Sequence, residues 1–222
     1  TFNFFDIDGN SRKDTSLPHM LIDQISWDTI VSNMGIQKND QIVIYDNSDV
    51  LSSCRGWFNF IYYGHDPKLI NVLNGGLRKW LKEKKNVTDK ILNIEKSDYK
   101  STERKDLVKN KQSIDQNINE KKFTLIDARS RERFEGKIPE PRKGLRSGCI
   151  KNSFCIPFSD CLNIDKTFKN KTELKKIFNT SLENIEQKNI VFSCGSGVTA
   201  CVLALAYSLI NDKYLPCIYD GS

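Results

Sequence analysis

The chain has 222 residues, 38% hydrophobic and 28% charged, an ordinary globular composition with length enough to bury two small cores. Its net charge of +6 is spread over a Lys-rich background without a concentrated basic arm, so nucleic-acid binding is not expected. No apolar run reaches the ~18 residues of a membrane span, and no secretory leader stands at Thr1, a first residue that is not Met.

In chain order, "FNFFDID" around Phe5 reads as a strand, and "QIVIYD" (Gln41 to Asp46) as a β-branched strand ending at Asp46. An aromatic helical stretch, "CRGWFNFIYYG", comes next, then "LINVLNGG" and a helix over "LRKWLKEKK". No Lys-Ser or Lys-Thr follows Gly75-Gly76, so these glycines make a turn and not a phosphate loop. Residues 86 to 122 are polar and poor in periodicity; they read as a linker with one helix after Ser113 and a domain boundary near 105. Beyond it "FTLIDAR" (Phe123 to Arg129), "FCIPFSD" near Phe158 and "NIVFSC" (Asn189 to Cys194) read as strands or strand ends. An apolar helix from Val198 and the terminal "LPCIYDGS" complete the chain.

The two halves repeat one order of events: a strand ending at Asp46 or Cys194, a buried helix, then a short strand and a glycine. The fold class is therefore α/β, with domains at 1–105 and 106–222, each a parallel β-sheet flanked by helices on both faces. The second half has a strand at Phe123 with no counterpart before Thr1, and the first half runs past Gly76 where the second stops at Ser222. The sequence is therefore expected to be a piece trimmed at both ends, or part of a longer chain.

Seven cysteines and two histidines occur without a CxxC pair, and the even spacing of Cys149, Cys155 and Cys161 fits no zinc pattern, so no metal is expected. Most of the thiols read as small core residues of a protein in a reducing compartment. Cys194 is different. It sits where a strand ends, and Gly195-Ser196-Gly197 leads from it into the helix, so backbone N–H groups and the helix dipole can favour a thiolate or a persulfide anion. A cysteine phosphatase would need an arginine six positions on, to grip phosphate oxygens in two places; that position is Ala200, so phosphate chemistry is disfavoured.

The run Cys194-Gly195-Ser196-Gly197-Val198-Thr199-Ala200 resembles the active-site loop of the tandem-rhodanese sulfurtransferases, most of all those acting on 3-mercaptopyruvate. The resemblance extends through "FFDIDGNSRKDTSLPHML" (Phe4 to Leu21), "IDARSRERFEGKIPEPRKGLRSGCI" (Ile126 to Ile150), "NVLNGGLRKW" and "YDGS". It implies that Cys194 is the nucleophile and that Arg133 and Arg142 orient the substrate. Gly195, Gly197, Val198 and Thr199 would line its site, and Ser196, His19 and Asp8 would form a proton relay. Arg129 and His65 read as structural. The resemblance implies no cofactor; its partners would be 3-mercaptopyruvate and a thiol acceptor, thioredoxin or a like thiol, or cyanide. A monomer in the cytoplasm is expected, or in the mitochondrion if the source is eukaryotic. Asp46 cannot carry a persulfide, so the first domain is expected to be catalytically silent, forming the second wall of the cleft. The uncharged loop favours mercaptopyruvate over thiosulfate; the alternatives are a thiosulfate:cyanide sulfurtransferase and a non-catalytic rhodanese-like binding module. The family's usual His-Ile-Pro-Gly is Cys149-Ile150-Lys151-Asn152 here.

Overall fold

The computed structural model describes residues 6–90, 93–182 and 189–221, and the chain separates into two compact units, Thr1–Lys105 and Asp106–Ser222. The strand expected around Phe5 lies for the most part outside the described residues.

In the first unit, α1 (Gln24–Asn33) starts at Asp23, whose carboxylate accepts from the Ser26 amide at 2.9 Å, and buries Trp27 and Val31 one turn apart. Strand β1 (Ile42–Ile44) runs parallel to β2 (Ile70–Val72), and α2 (Ser53–Tyr62) makes the crossover between them. Every residue of α2 is buried, its polar Ser53, Arg55 and Asn59 included. Its one charged residue, Arg55, sends Nη2 to the His19 carbonyl at 2.8 Å. Trp27 of α1 stacks on Tyr63 at 4.4 Å and meets Phe60 edge-on at 5.1 Å. The turn before α3 (Gly76–Lys82) needs its glycines: Gly76 has φ +58°, and a Cβ there would lie 2.6 Å from the Asp46 carbonyl.

The stretch read as a linker is structured at both ends. Residues 97 to 104 lie back on the first unit as an extended strap. Ser97 donates from N to the Ser32 carbonyl at 3.0 Å, Ser101 from N to Asp28 at 2.9 Å, and Thr102 from N to the Tyr63 carbonyl at 3.0 Å. Tyr99, 1% exposed, stacks on His65 with its hydroxyl 3.0 Å from Nδ1. Residues 108 to 120 belong to the second unit, as strand β3 (Val108–Lys109) and helix α4 (Lys111–Glu120), which begins before Ser113 and not after it. Polar anchors explain the misreading: the strap is held by backbone and hydroxyl bonds, which leave no apolar period in the sequence.

In the second unit β3 is followed by β4 (Thr124–Asp127), the short α5 (Arg131–Phe134), β5 (Phe154–Cys155), α6 (Lys171–Ser181), β6 (Ile190–Ser193), α7 (Val198–Ser208) and β7 (Ile218–Tyr219). The sheet is parallel throughout, in the order β3-β7-β6-β4-β5. Strand β6 is central and buried at all four residues, which is why it reads as a continuous apolar run and not as an alternation. On one face Phe192 packs with Phe178 of α6 and Tyr207 of α7, ring centroids 5.2 to 6.3 Å apart. On the other, Ile114 of α4 meets Leu125, Val191 and Tyr219. Helices therefore cover both faces of this sheet. Among the described residues no helix is long and apolar enough to cross a membrane.

His65 Nε2 lies 3.0 Å from the Asp40 carbonyl, an acceptor only, so Nε2 carries the proton and Nδ1 accepts from the Tyr99 hydroxyl. Burial, the largest cause, holds the imidazole below its ordinary 6.5, against the opposing pull of the Asp40 carbonyl. A folded state that rejects the proton keeps its stability above the ordinary value and loses it as pH falls below it. Thermal unfolding should therefore show a midpoint that drops as pH falls below about 6.5, with the drop reduced in His65→Gln. Tyr99→Ala should cost about 3 kcal/mol by denaturant titration, whereas a true linker residue would cost almost nothing.

Candidate active site

The order of the sheet decides where a site can form. From β4 the chain moves outward to β5, whereas from β6 it moves the other way to β7. The connections therefore part between β4 and β6, and a crevice opens above the carboxyl ends of these two strands. Asp127 and Ser193 are register partners at that end, and the Ala128 amide donates to the Ser193 carbonyl at 2.8 Å. The next residue on β6 is Cys194, buried at 6% exposure.

From Cys194 the chain must enter α7 within three residues. Gly197 makes this possible at φ +76°, a left-handed conformation that a side chain resists. The Ser196 amide points back at the Cys194 sulfur at 3.5 Å. Val198 and Ala200 are buried in the first turn of α7, while Gly195, Ser196 and Thr199 keep partial exposure. Cys201 is fully buried, with its thiol on the Gly197 carbonyl at 3.1 Å, and offers no surface from which to resolve a disulfide. Burial also pushes the Cys155 and Cys217 thiols up to about 11 and Cys161 to about 12, so these sulfurs stay protonated at neutral pH.

Both candidate arginines reach the loop. Arg142 Nη2 donates to the Gly195 carbonyl at 2.6 Å. Arg133, on α5, lies close enough that a Cβ on Gly195 would sit 3.0 Å from its Nη2. Behind them is an ion network that the sequence does not announce. Glu140 accepts from Arg133 Nε at 3.2 Å and Nη2 at 2.5 Å, and from Arg129 Nη1 at 2.8 Å. Arg129 forks onto Asp127 at 2.6 to 3.1 Å and reaches the Gly148 carbonyl at 2.8 Å. The Arg133 hydrogen bond holds the Glu140 carboxyl below the usual range against its burial, and the two carboxylates raise Arg129 despite burial. Arg129 is thus structural, as read. The signal for Glu140 was present but weak: one acid between Pro139 and Pro141, inside an arginine-rich run.

Asp8 and His19 meet each other within the first unit. His19 stands at φ +60°, and its Nε2 lies 2.8 Å from Asp8 Oδ1. A carboxylate only accepts, so Nε2 donates, and the buried Nδ1 has no hydrogen-bond partner among the described residues. The other candidates, Cys194, Gly195, Ser196, Gly197, Val198, Thr199, Arg133 and Arg142, gather in the second unit. Asp46, the counterpart of Cys194 in the repeat, spends its carboxylate on the Ser48 and Ser53 amides at 3.1 and 2.7 Å. Among the described residues no three His, Cys, Asp or Glu side chains come together as a metal site. Asn152, where the family's pattern has glycine, stands at φ +65°, a conformation that Asn tolerates, and its amide holds the Ile118 carbonyl at 2.9 Å.

Residues 110–222 match the Rhodanese-like domain family. The chain is 37% identical to a thiosulfate/3-mercaptopyruvate sulfurtransferase of Arabidopsis thaliana named as mitochondrial, over 99% of its own length and 62% of that protein's. It is 36% identical to the thiosulfate sulfurtransferase of Rattus norvegicus and 33% to the human 3-mercaptopyruvate sulfurtransferase; in each case 99% of the chain is covered, with 74% and 73% of those proteins. Its structure resembles that of SseA from Escherichia coli, a 3-mercaptopyruvate sulfotransferase, with a TM-score of 0.86 and 26% identity over 99% of this chain and 80% of that one.

Gly195→Ala should leave the unfolding midpoint almost unchanged, because Gly195 has no left-handed backbone and the nearest clash is the tip of Arg133. It should change alkylation of Cys194 by a small anionic reagent by less than about twofold, because Arg133 need give only a few tenths of an ångström and stays paired with Glu140. Peptide-resolved mass spectrometry would measure this, and a loss of about tenfold or more would show that Arg133 carries uncancelled charge at the loop.

Proposed function

The chain belongs to the rhodanese-like family of sulfurtransferases, and on that premise we propose that it moves the sulfur of 3-mercaptopyruvate through a persulfide on Cys194. The observation that carries this reading is the placing of Arg133 and Arg142 against the loop of a cysteine at the end of the central strand. Two guanidiniums beside the loop of a cysteine suit a donor with a carboxylate beside its transferable sulfur.

The steps balance. The Cys194 thiolate attacks the donor sulfur, the new S–S bond forms, and the C–S bond breaks with its electron pair going to carbon. The enolate of pyruvate leaves and takes a proton, a role the resemblance gives to Ser196 in the loop and to the Asp8–His19 pair of the first unit. Arg133 and Arg142 hold the carboxylate and the keto oxygen throughout. A thiol acceptor such as thioredoxin, or cyanide, then attacks the outer sulfur and returns Cys194 as thiolate. Neither step calls for a metal or an organic cofactor. Seven free cysteines suit a reducing compartment, the cytoplasm or the mitochondrion, where such acceptors are kept reduced.

Thiosulfate as donor is the second reading, favoured by the rat relative's name and likeness. Against it stands the loop Gly195-Ser196-Gly197, which brings no positive charge of its own to a dianion.

Intact mass measured after mixing with either donor should show the gain of one sulfur atom with 3-mercaptopyruvate, absent in Cys194→Ser. A gain with thiosulfate alone would transfer the assignment to the second reading. No gain with either, in folded protein, would leave a rhodanese-like binding module in place of an enzyme.

A further inference from the structure

The three guanidiniums near Cys194 are not equivalent. Arg129 is forked onto Asp127, Arg133 is paired with Glu140, and no ion pair to Arg142 occurs among the described residues. Glu140 is the member shared by Arg129 and Arg133, and its side chain is only 4% exposed. The flanking Pro139 and Pro141 fix the backbone around it, and all three of its hydrogen bonds come from guanidinium nitrogens.

A neutral acceptor could orient Arg133 almost as well. A carboxylate also removes a charge, and burying one is costly enough that its presence asks for a reason. We propose that Glu140 is a positioning and charge-setting residue of this site: it fixes Arg133 beside Gly195 and cancels that guanidinium's charge, so that the site favours singly over doubly charged sulfur donors.

The physics is a difference of Coulomb terms. 3-Mercaptopyruvate carries one negative charge and thiosulfate two, so each positive charge withdrawn from the site weakens attraction for thiosulfate twice as much. Arg129, Arg133 and Arg142, set against the carboxylates of Asp127 and Glu140, leave one positive charge of this group, on Arg142 at the Gly195 carbonyl. The loop's lack of cations and the pairing of Arg133 act in the same direction. The statement about sulfur donors rests on the sulfurtransferase reading; the statement about charge at Cys194 does not.

The test uses the whole chain and two alkylating probes of similar size, iodoacetate and iodoacetamide, with peptide mass spectrometry reading Cys194 alone. The rate ratio of charged to neutral probe reports the field at the sulfur, whatever the protein's substrate. Glu140→Gln should raise that ratio about fivefold at low ionic strength, and high salt should erase most of the rise. Glu140→Asp keeps the charge and should hold the ratio near that of the parent, whereas a purely structural role would move both variants alike. Should Glu140→Gln fail to fold, Arg133→Gln reads the balance in reverse, and the ratio should fall about fivefold.

With donors, Glu140→Gln should raise kcat/KM for thiosulfate relative to 3-mercaptopyruvate by a similar factor. An unchanged alkylation ratio in a folded variant overturns the proposal. An altered alkylation ratio without sulfur loading from either donor upholds the charge assignment and overturns the donor reading instead.

Discussion

A parallel sheet can continue only through crossovers, and where successive crossovers depart in opposite directions the carboxyl ends of two adjacent strands are left uncovered. In the second unit that point lies between β4 and β6, and the rest of the site depends on it. Strand β6 delivers Cys194 into the gap, and β4 delivers Asp127, from which the arginine-bearing loop departs. The distance between those two strand ends is fixed by sheet hydrogen bonding, so Cys194 and the arginine-bearing loop are placed by backbone geometry before any side chain is chosen. The side chains then decide what the gap can hold.

The loop from Arg129 to Gly148 contains only one short helix, and much of it is polar and exposed, so it cannot be held by burial. Ion pairs replace packing there. Asp127 anchors Arg129 to the strand, Arg129 draws in Glu140 and the Gly148 carbonyl, and Glu140 draws in Arg133. Such a buried network adds little net stability compared with an apolar core, yet removing one member leaves an uncompensated charge at a cost of about 3–5 kcal/mol. It is therefore an arrangement suited to fixing geometry: weakly stabilising as a whole and intolerant of loss in its parts. The Cys194 loop benefits from it, because Arg133 arrives beside Gly195 already oriented by Glu140, whereas Arg142 is held by the loop itself through the Gly195 carbonyl.

What the sequence made legible follows from how each feature is held. Strands β4 and β6 and helices α2 and α7 are apolar and buried, so composition alone marks them. The duplication was visible because it repeats apolar runs with glycines at matching places. Cys194 stood out by its glycine neighbours, and the two arginines by their resemblance to a known pattern. The strap holding Tyr99 was read as linker because serines and main-chain amides hold it, a kind of attachment without period. Glu140 was only weakly signalled for a related reason. One acid in "RSRERFEGKIPEPRKGLR" has several possible cationic partners, and only the fold decides that two of them converge on it.

The duplication also shows how one backbone arrangement can serve stability or chemistry. The first turn of any helix presents N–H groups that have no partner within the helix. At the end of β1 the Asp46 carboxylate takes up two amides, that of Ser48 at 3.1 Å and that of Ser53 at the start of α2 at 2.7 Å. At the end of β6 the corresponding atom is a sulfur, which holds the Ser196 amide at 3.5 Å. Sulfur is a poor acceptor, so the donors around it lose little by turning to an anion that forms there. Exchanging an oxygen anion for a thiol at one strand end gives up a stabilising cap and leaves donors ready for negative charge. In the second unit that readiness coincides with the gap in the sheet and with two guanidiniums, and the three together distinguish the Cys194 loop from the Asp46 turn.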